Sequence, residues 1–188
     1  DTNVLPLVSK RIINNTCKIL NFNYTDTLER AYKVPAENIL YIHGKALSSK
    51  KLVVGHHDIS TFQYGAVSPF NAAEEHGIYI QDDDEDFRIT ETKEIIKAYF
   101  QKTYKDTFGI IQMNQNFFDS LININEIFIL GHSLSSVDMD YFVEIRKRVL
   151  HSCKWYISYF SESDLDNMEY FAKRLDIKNF QPVMLSNL

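Results

Sequence analysis

The feature that most constrains the fold is an alternation of short apolar runs and amphipathic segments towards the C-terminal end of the chain. The runs Ile127–Leu130, Trp155–Phe160 and Pro182–Leu185 have strand length. Between them lie two segments whose apolar residues recur at three and four positions, the period of a helix with one buried face. In Val137–Leu150 these are Phe142, Ile145 and Val149; in Asp164–Leu175 they are Leu165, Met168, Phe171 and Leu175. Ser135 with Asp138, and Ser163 with Asp166, read as capping boxes that open the two helices. The result is a βαβαβ unit, which demands parallel strands joined by right-handed crossovers. Several of the runs are apolar on both faces, as strands covered by helices on either side must be. Earlier runs at Cys17–Phe22, Ile39–Ile42 and Leu52–Val54 supply further strands. The expected fold is α/β: a Rossmann-like, mainly parallel sheet with flanking helices. Two more helical segments, Thr92–Tyr104 and Ile110–Ile124, read as a helical insertion over 92–124 within a single domain spanning 1–188.

Composition narrows the function. The chain has 188 residues, 45% of them hydrophobic, which is enough apolar surface for one compact core. With 20 Lys and Arg against 25 Asp and Glu the net charge is −5, so the basic excess that binds nucleic acid is missing. Cys17 and Cys153 are too few for a disulfide framework or a four-thiolate zinc site, and read as thiols of a reducing compartment. No apolar run reaches transmembrane length and no signal pattern opens the chain, so a cytoplasmic protein without membrane contact is expected. Asp82, Asp84 and Asp86 resemble the start of a calcium loop, but Phe87 stands where glycine is needed and Lys93 where glutamate is needed. His56-His57-Asp58, with His43 and His76 nearby, has metal-ligand residue types, yet adjacent histidines on a strand point to opposite faces. No metal is expected. Gly131-His132-Ser133 is not a nucleophile elbow, because Ser135 occupies the position of the second glycine.

Three polar motifs follow predicted strand ends, where open α/β sheets collect their ligands. The first, Asn21-Phe22-Asn23-Tyr24-Thr25-Asp26, leads into a helix that Asp26 and Glu29 would cap. Its amides suit a phosphate or polar ligand, and the plainer reading is a chain turn. In the second, His43 and Gly44 follow Ile39–Ile42; a histidine there can act as general base or simply be a hydrogen-bonded, half-buried ring. The third, Leu130-Gly131-His132-Ser133-Leu134, joins a strand to a helix and can hold phosphate or ribose, or be an ordinary βα turn.

As an ordered set, Asn21–Glu29, Tyr41–Gly44, Leu52–Gly55 with His56, and Ile129–Phe142 with Ser133, Asp138, Tyr141 and Phe142 resemble the AbiH family of bacteriophage abortive-infection proteins, itself similar to sirtuin-like NAD-handling domains. The resemblance implies a pocket for NAD or a related nucleotide, a role in phage defence and a phage-derived trigger. It implies that Asn23 places the nicotinamide ribose and an attacking water, and that His43 is the base on a ribose hydroxyl. It implies that Gly131, His132, Ser133 and Leu134, together with Asn23, Tyr24 and Asp26, contact the cofactor. NAD glycohydrolase activity is the leading expectation, and a non-catalytic sensor module is the alternative. Asp26 lies three residues after Asn23 where the sirtuin pattern has its Asp two after, and Thr25 fills that slot. The sirtuin zinc module is absent, which turns the reading away from protein deacetylation. The family opens with a strand and a Gly-Asn-Gly-Phe-Asp-like loop, and nothing like it precedes Asn21. A C-terminal fragment lacking its first strand is therefore expected, with weak NAD affinity on its own and an open sheet edge that favours homo-oligomers.

Overall fold

The structure is a computed structural model and describes residues 12–49, 52–55, 95, 98 and 104–187. It divides into two units, residues 1–53 with 107–188, and residues 54–106. The first unit holds β1 (Ile19–Asn21), α1 (Thr27–Tyr32), β2 (Ile39–Tyr41), α2 (Thr107–Met113), α3 (Gln115–Asp119), β3 (Glu126–Ile129), α4 (Met139–Arg148), β4 (Lys154–Tyr159), α5 (Ser163–Arg174) and β5 (Phe180–Met184). In the second unit Ile95 and Ala98 are helical, within the predicted Thr92–Tyr104 helix, while Tyr104 is not. The acidic Gln81–Asp86 segment, His56-His57-Asp58 and His76 lie outside the described residues.

The pairings among β1 to β5 are parallel. β1 pairs with β2 so that Asn21 lies opposite Tyr41. β3, β4 and β5 form a three-stranded sheet with β4 in the centre, Ile129 opposite Ile157 and Ile157 opposite Pro182. Pro182 removes a backbone donor, and the outer strand β5 is where a sheet tolerates that loss. The architecture is a mixed α/β one, short parallel sheets flanked by helices, consistent with a Rossmann-like arrangement.

The two C-terminal helices bury the predicted stripes. α4 buries Phe142 and Ile145, and Val149 just beyond it; α5 buries Met168, Phe171 and Ala172. Phe171 meets Phe142 edge-on at 5.1 Å and Trp155 of β4 at 6.4 Å, which locks helices and sheet together through aromatic contacts. Two expected elements differ. The Ile110–Ile124 helix divides into α2 and α3 at Asn114, whose side-chain amide donates to the Ile110 carbonyl at 2.7 Å, a local bond that competes with helix continuation. Residues Leu52–Val54 form no strand; the Val53 N–H donates to the His43 carbonyl and its carbonyl accepts from the Tyr24 hydroxyl, so its backbone is satisfied outside any ladder. Among the described residues no helix is long and apolar enough to cross a membrane.

Candidate functional site

Parallel pairing puts the C-terminal ends of β1 and β2 side by side, and the residues just past them carry the first two motifs. Asn21 is buried at the end of β1 and its side-chain oxygen accepts from the Asn23 N–H at 3.0 Å, an Asx turn that bends the chain away from the strand. This turn leaves Asn23 exposed and turns the Phe22 ring inward. Phe22 stands edge-on to His43 at 5.5 Å and to His132 at 4.5 Å. It thereby brings the loops after β1, β2 and β3 to one place.

At that place one carboxylate lies between two imidazoles. Asp138 Oδ1 is 3.4 Å from His43 Nε2, and Asp138 Oδ2 is 3.4 Å from His132 Nε2. The Leu134 N–H donates to His132 Nδ1 at 2.8 Å, so in the neutral ring the proton sits on Nε2 and faces Asp138. His43 is 6% exposed, and its Nε2, though close to Asp138, has no hydrogen bond of acceptable alignment. Its ring is walled by Phe22, by Tyr24 at 6.3 Å and by Tyr141 at 5.8 Å. The expected Ser135–Asp138 capping box does not form: Ser135 makes no side-chain cap bond, and the Asp138 carboxylate serves the imidazoles. Asp138 still sits at the N-cap of α4, where the helix dipole favours its negative charge. Among the described residues no group of three His, Cys, Asp or Glu side chains is arranged to hold a metal ion.

His132 connects this cluster to a cavity of about 280 Å³ at the C-terminal edge of the β3–β4–β5 sheet. Gly131, His132, Ser133 and Leu134 form one wall, and Ser158, Tyr159, Phe160, Asp164, Asn167, Met168 and Leu185 form the other. The Gly131 N–H donates to Ser158 Oγ at 2.8 Å, tying the loop to β4. Gly131 has φ +61° with nothing within 4 Å of the position a Cβ would take, so the left-handed turn, not crowding, calls for glycine there. A wider hollow of about 470 Å³, lined by Ile13, Asn14, Asn15, Thr16 and Tyr32, offers no imidazole, carboxylate or thiol.

The remaining expected residues fall outside this core. Asp26 occupies the N-cap of α1 without a side-chain cap bond and pairs with Arg30 at 3.2 Å. Its expected capping partner Glu29 instead accepts from Tyr41 and Lys45, both at 2.7 Å. The Lys45 hydrogen bond holds the Glu29 carboxyl below its ordinary range, while burial and Glu29 together push the Tyr41 phenol up. Ser133 is exposed on the cavity wall. Three cavity residues, Phe160, Asp164 and Asn167, are not singled out by the sequence; the pattern that holds them is an apolar residue immediately after a strand, followed by a carboxylate and an amide in the first turns of a helix.

Fold and site together define an α/β domain whose polar and titratable groups gather at the C-terminal ends of parallel strands. The family model described as bacteriophage abortive infection AbiH matches residues 2–159. The chain belongs to the AbiH family, and that membership gives it a role in phage abortive infection. No curated protein and no solved structure matches it at a significant level.

Proposed function

We propose that this domain binds NAD or a related nucleotide along the strand ends and hydrolyses the bond between nicotinamide and ribose, so that loss of a central cofactor halts the infected cell. Water supplies the hydroxyl that replaces nicotinamide, and the products are nicotinamide, ADP-ribose and a proton. His43 takes the proton from the attacking water or ribose hydroxyl, with the Asp138 carboxylate beside it to balance the charge that develops on the ring. Asn23, exposed just past β1, orients the ribose and water, and the Gly131–Leu134 turn holds the remainder of the ligand. The observation that carries this reading is His43 Nε2: a buried imidazole nitrogen without an aligned hydrogen bond, 3.4 Å from a carboxylate whose other oxygen reaches a cavity-lining histidine. Buried polar atoms are rarely left in that condition without a role.

A second reading, a non-catalytic sensor that signals nucleotide occupancy to another part of the defence protein, is favoured by the enclosure of His43 among Phe22, Tyr24 and Tyr141. Nicotinamide release by the intact protein separates the two. Hydrolysis predicts release that falls at least about a hundredfold in His43→Ala and in Asn23→Ala, the scale of a positioned acid or base, with folding retained. Nucleotide binding without release in the wild type selects the sensor.

A further inference from the structure

The walls of the 280 Å³ cavity specify more than a generic nucleotide site. Ligand pockets run upward from about 300 Å³, so this space takes one nucleoside-sized group and not a whole dinucleotide. No lysine or arginine is among its lining residues, and the carboxylate it contains would repel a phosphate. The helix beside the Gly131–Leu134 wall offers no vacant anion site either, because the Asp138 carboxylate already stands at the N-cap of α4. What the walls do offer is an aromatic ring and hydrogen-bonding side chains. Phe160, directly after β4, is 87% exposed, so its ring is open to a flat ligand in the cavity.

Asp164 is held in place by its own loop. Its Oδ2 accepts from the Phe160 N–H at 3.0 Å, the Ser161 N–H at 2.9 Å and the Ser161 hydroxyl at 3.2 Å. These three bonds lie on one oxygen, and the other remains for a donor in the cavity. They also keep the carboxyl below its ordinary range, hence ionised at neutral pH. Asn167 lines the same wall one helical turn further along α5. A fixed carboxylate with a neighbouring amide suits vicinal hydroxyls, each of which donates a proton to oxygen, and a ring above them suits a base.

We infer that this cavity is a nucleoside subsite in which Phe160 stacks on a base and Asp164, helped by Asn167, reads a free ribose 2′,3′-diol, so that the ligand is an NAD-type nucleotide and a 2′-phosphorylated, NADP-type one is excluded. The inference rests on the nucleotide reading above and names the end of the ligand that this cavity takes. Calorimetry on the intact protein with NAD and with NADP tests it. NAD should bind at least about tenfold more tightly than NADP, the scale of a charge-assisted hydrogen bond gained or lost. Asp164→Asn should reduce that ratio to near one, and Phe160→Ala should weaken both ligands about tenfold while keeping the ratio. Equal affinities in the wild type overturn the inference whatever the variants do, and so does a ratio that survives Asp164→Asn in a folded protein. Failure of both ligands to bind removes the nucleotide reading with it, whereas diol-selective binding without nicotinamide release leaves the subsite standing and removes only the hydrolysis.

Discussion

Replacing Asp138 by alanine is the perturbation whose cost follows most directly from the geometry. In the wild type its Oδ2 faces the protonated Nε2 of His132, a ring whose other nitrogen is engaged by the Leu134 N–H. Asp138→Ala takes away the carboxylate that this half-buried N–H faces at 3.4 Å, at a cost of about 1–2 kcal/mol. It also removes a carboxylate from the N-cap of α4, worth about 0.3–1 kcal/mol. His43 adds little, because its Nε2 has no aligned bond to lose. The expected loss is about 2 kcal/mol, or about 4–8 °C in melting temperature for a domain of this size. Asp138→Asn keeps an acceptor for His132 and should cost under about 1 kcal/mol. His132→Ala by itself mixes the hydrogen bond with lost packing against Phe22 and Phe142, so the decisive assay is a double-mutant cycle by urea denaturation. A coupling of about 1 kcal/mol between positions 132 and 138 is expected. Additivity within about 0.5 kcal/mol, or an asparagine as damaging as alanine, would refute the account of Asp138 as the partner of His132.

Other outcomes follow from individual environments. Phe118 is wholly buried, so Phe118→Ala should lower the unfolding free energy by about 3–5 kcal/mol in the same denaturation assay. Gly131→Ala places a methyl at φ +61° in open space, so it should cost about 1–2 kcal/mol from backbone strain alone and should weaken any ligand that lies against the turn, as titration calorimetry would register. Glu29 is held below its ordinary value of 4.5, chiefly by Lys45. Its stabilising contribution is therefore present above about pH 4.5 and is lost as pH falls through the lower, folded-state value. A stability profile of Glu29→Gln should accordingly be flatter than the wild type on the acid side and unchanged in shape above it.

The parts of the fold legible in the sequence are those governed by local periodicity. Trp155 and Ile157 two residues apart, and the stripes Phe142-Ile145-Val149 and Met168-Phe171-Leu175, mark β4, α4 and α5 because burial repeats at the period of the element. Where one residue has two suitors, the local pattern misleads. Asp138 and Glu29 both stand at capping-box spacing, yet the first is taken by imidazoles after β2 and β3 and the second by Tyr41 at the end of β2 and Lys45 beyond it. Long-range pairing of that kind leaves no trace in a window of four residues. Leu52–Val54 is apolar enough for a strand, but hydropathy says nothing about whether a partner strand is beside it. Among the site residues, His43 and His132 are legible because each follows a strand end. Phe160 and Asp164 are not, since an exposed phenylalanine and an acidic helix start are ordinary features until a cavity lies between them.

The central claim is that the loops after β1, β2, β3 and β4 form one nucleotide site, and a crystal structure of the intact protein soaked with NAD tests it most directly. The account predicts the nucleoside end between Ser133, Phe160 and Asp164, and the nicotinamide ribose within hydrogen-bond reach, about 3 Å or one water further, of His43 and Asn23. NAD bound away from these strand ends, or bound with its nicotinamide ribose remote from His43, would contradict it.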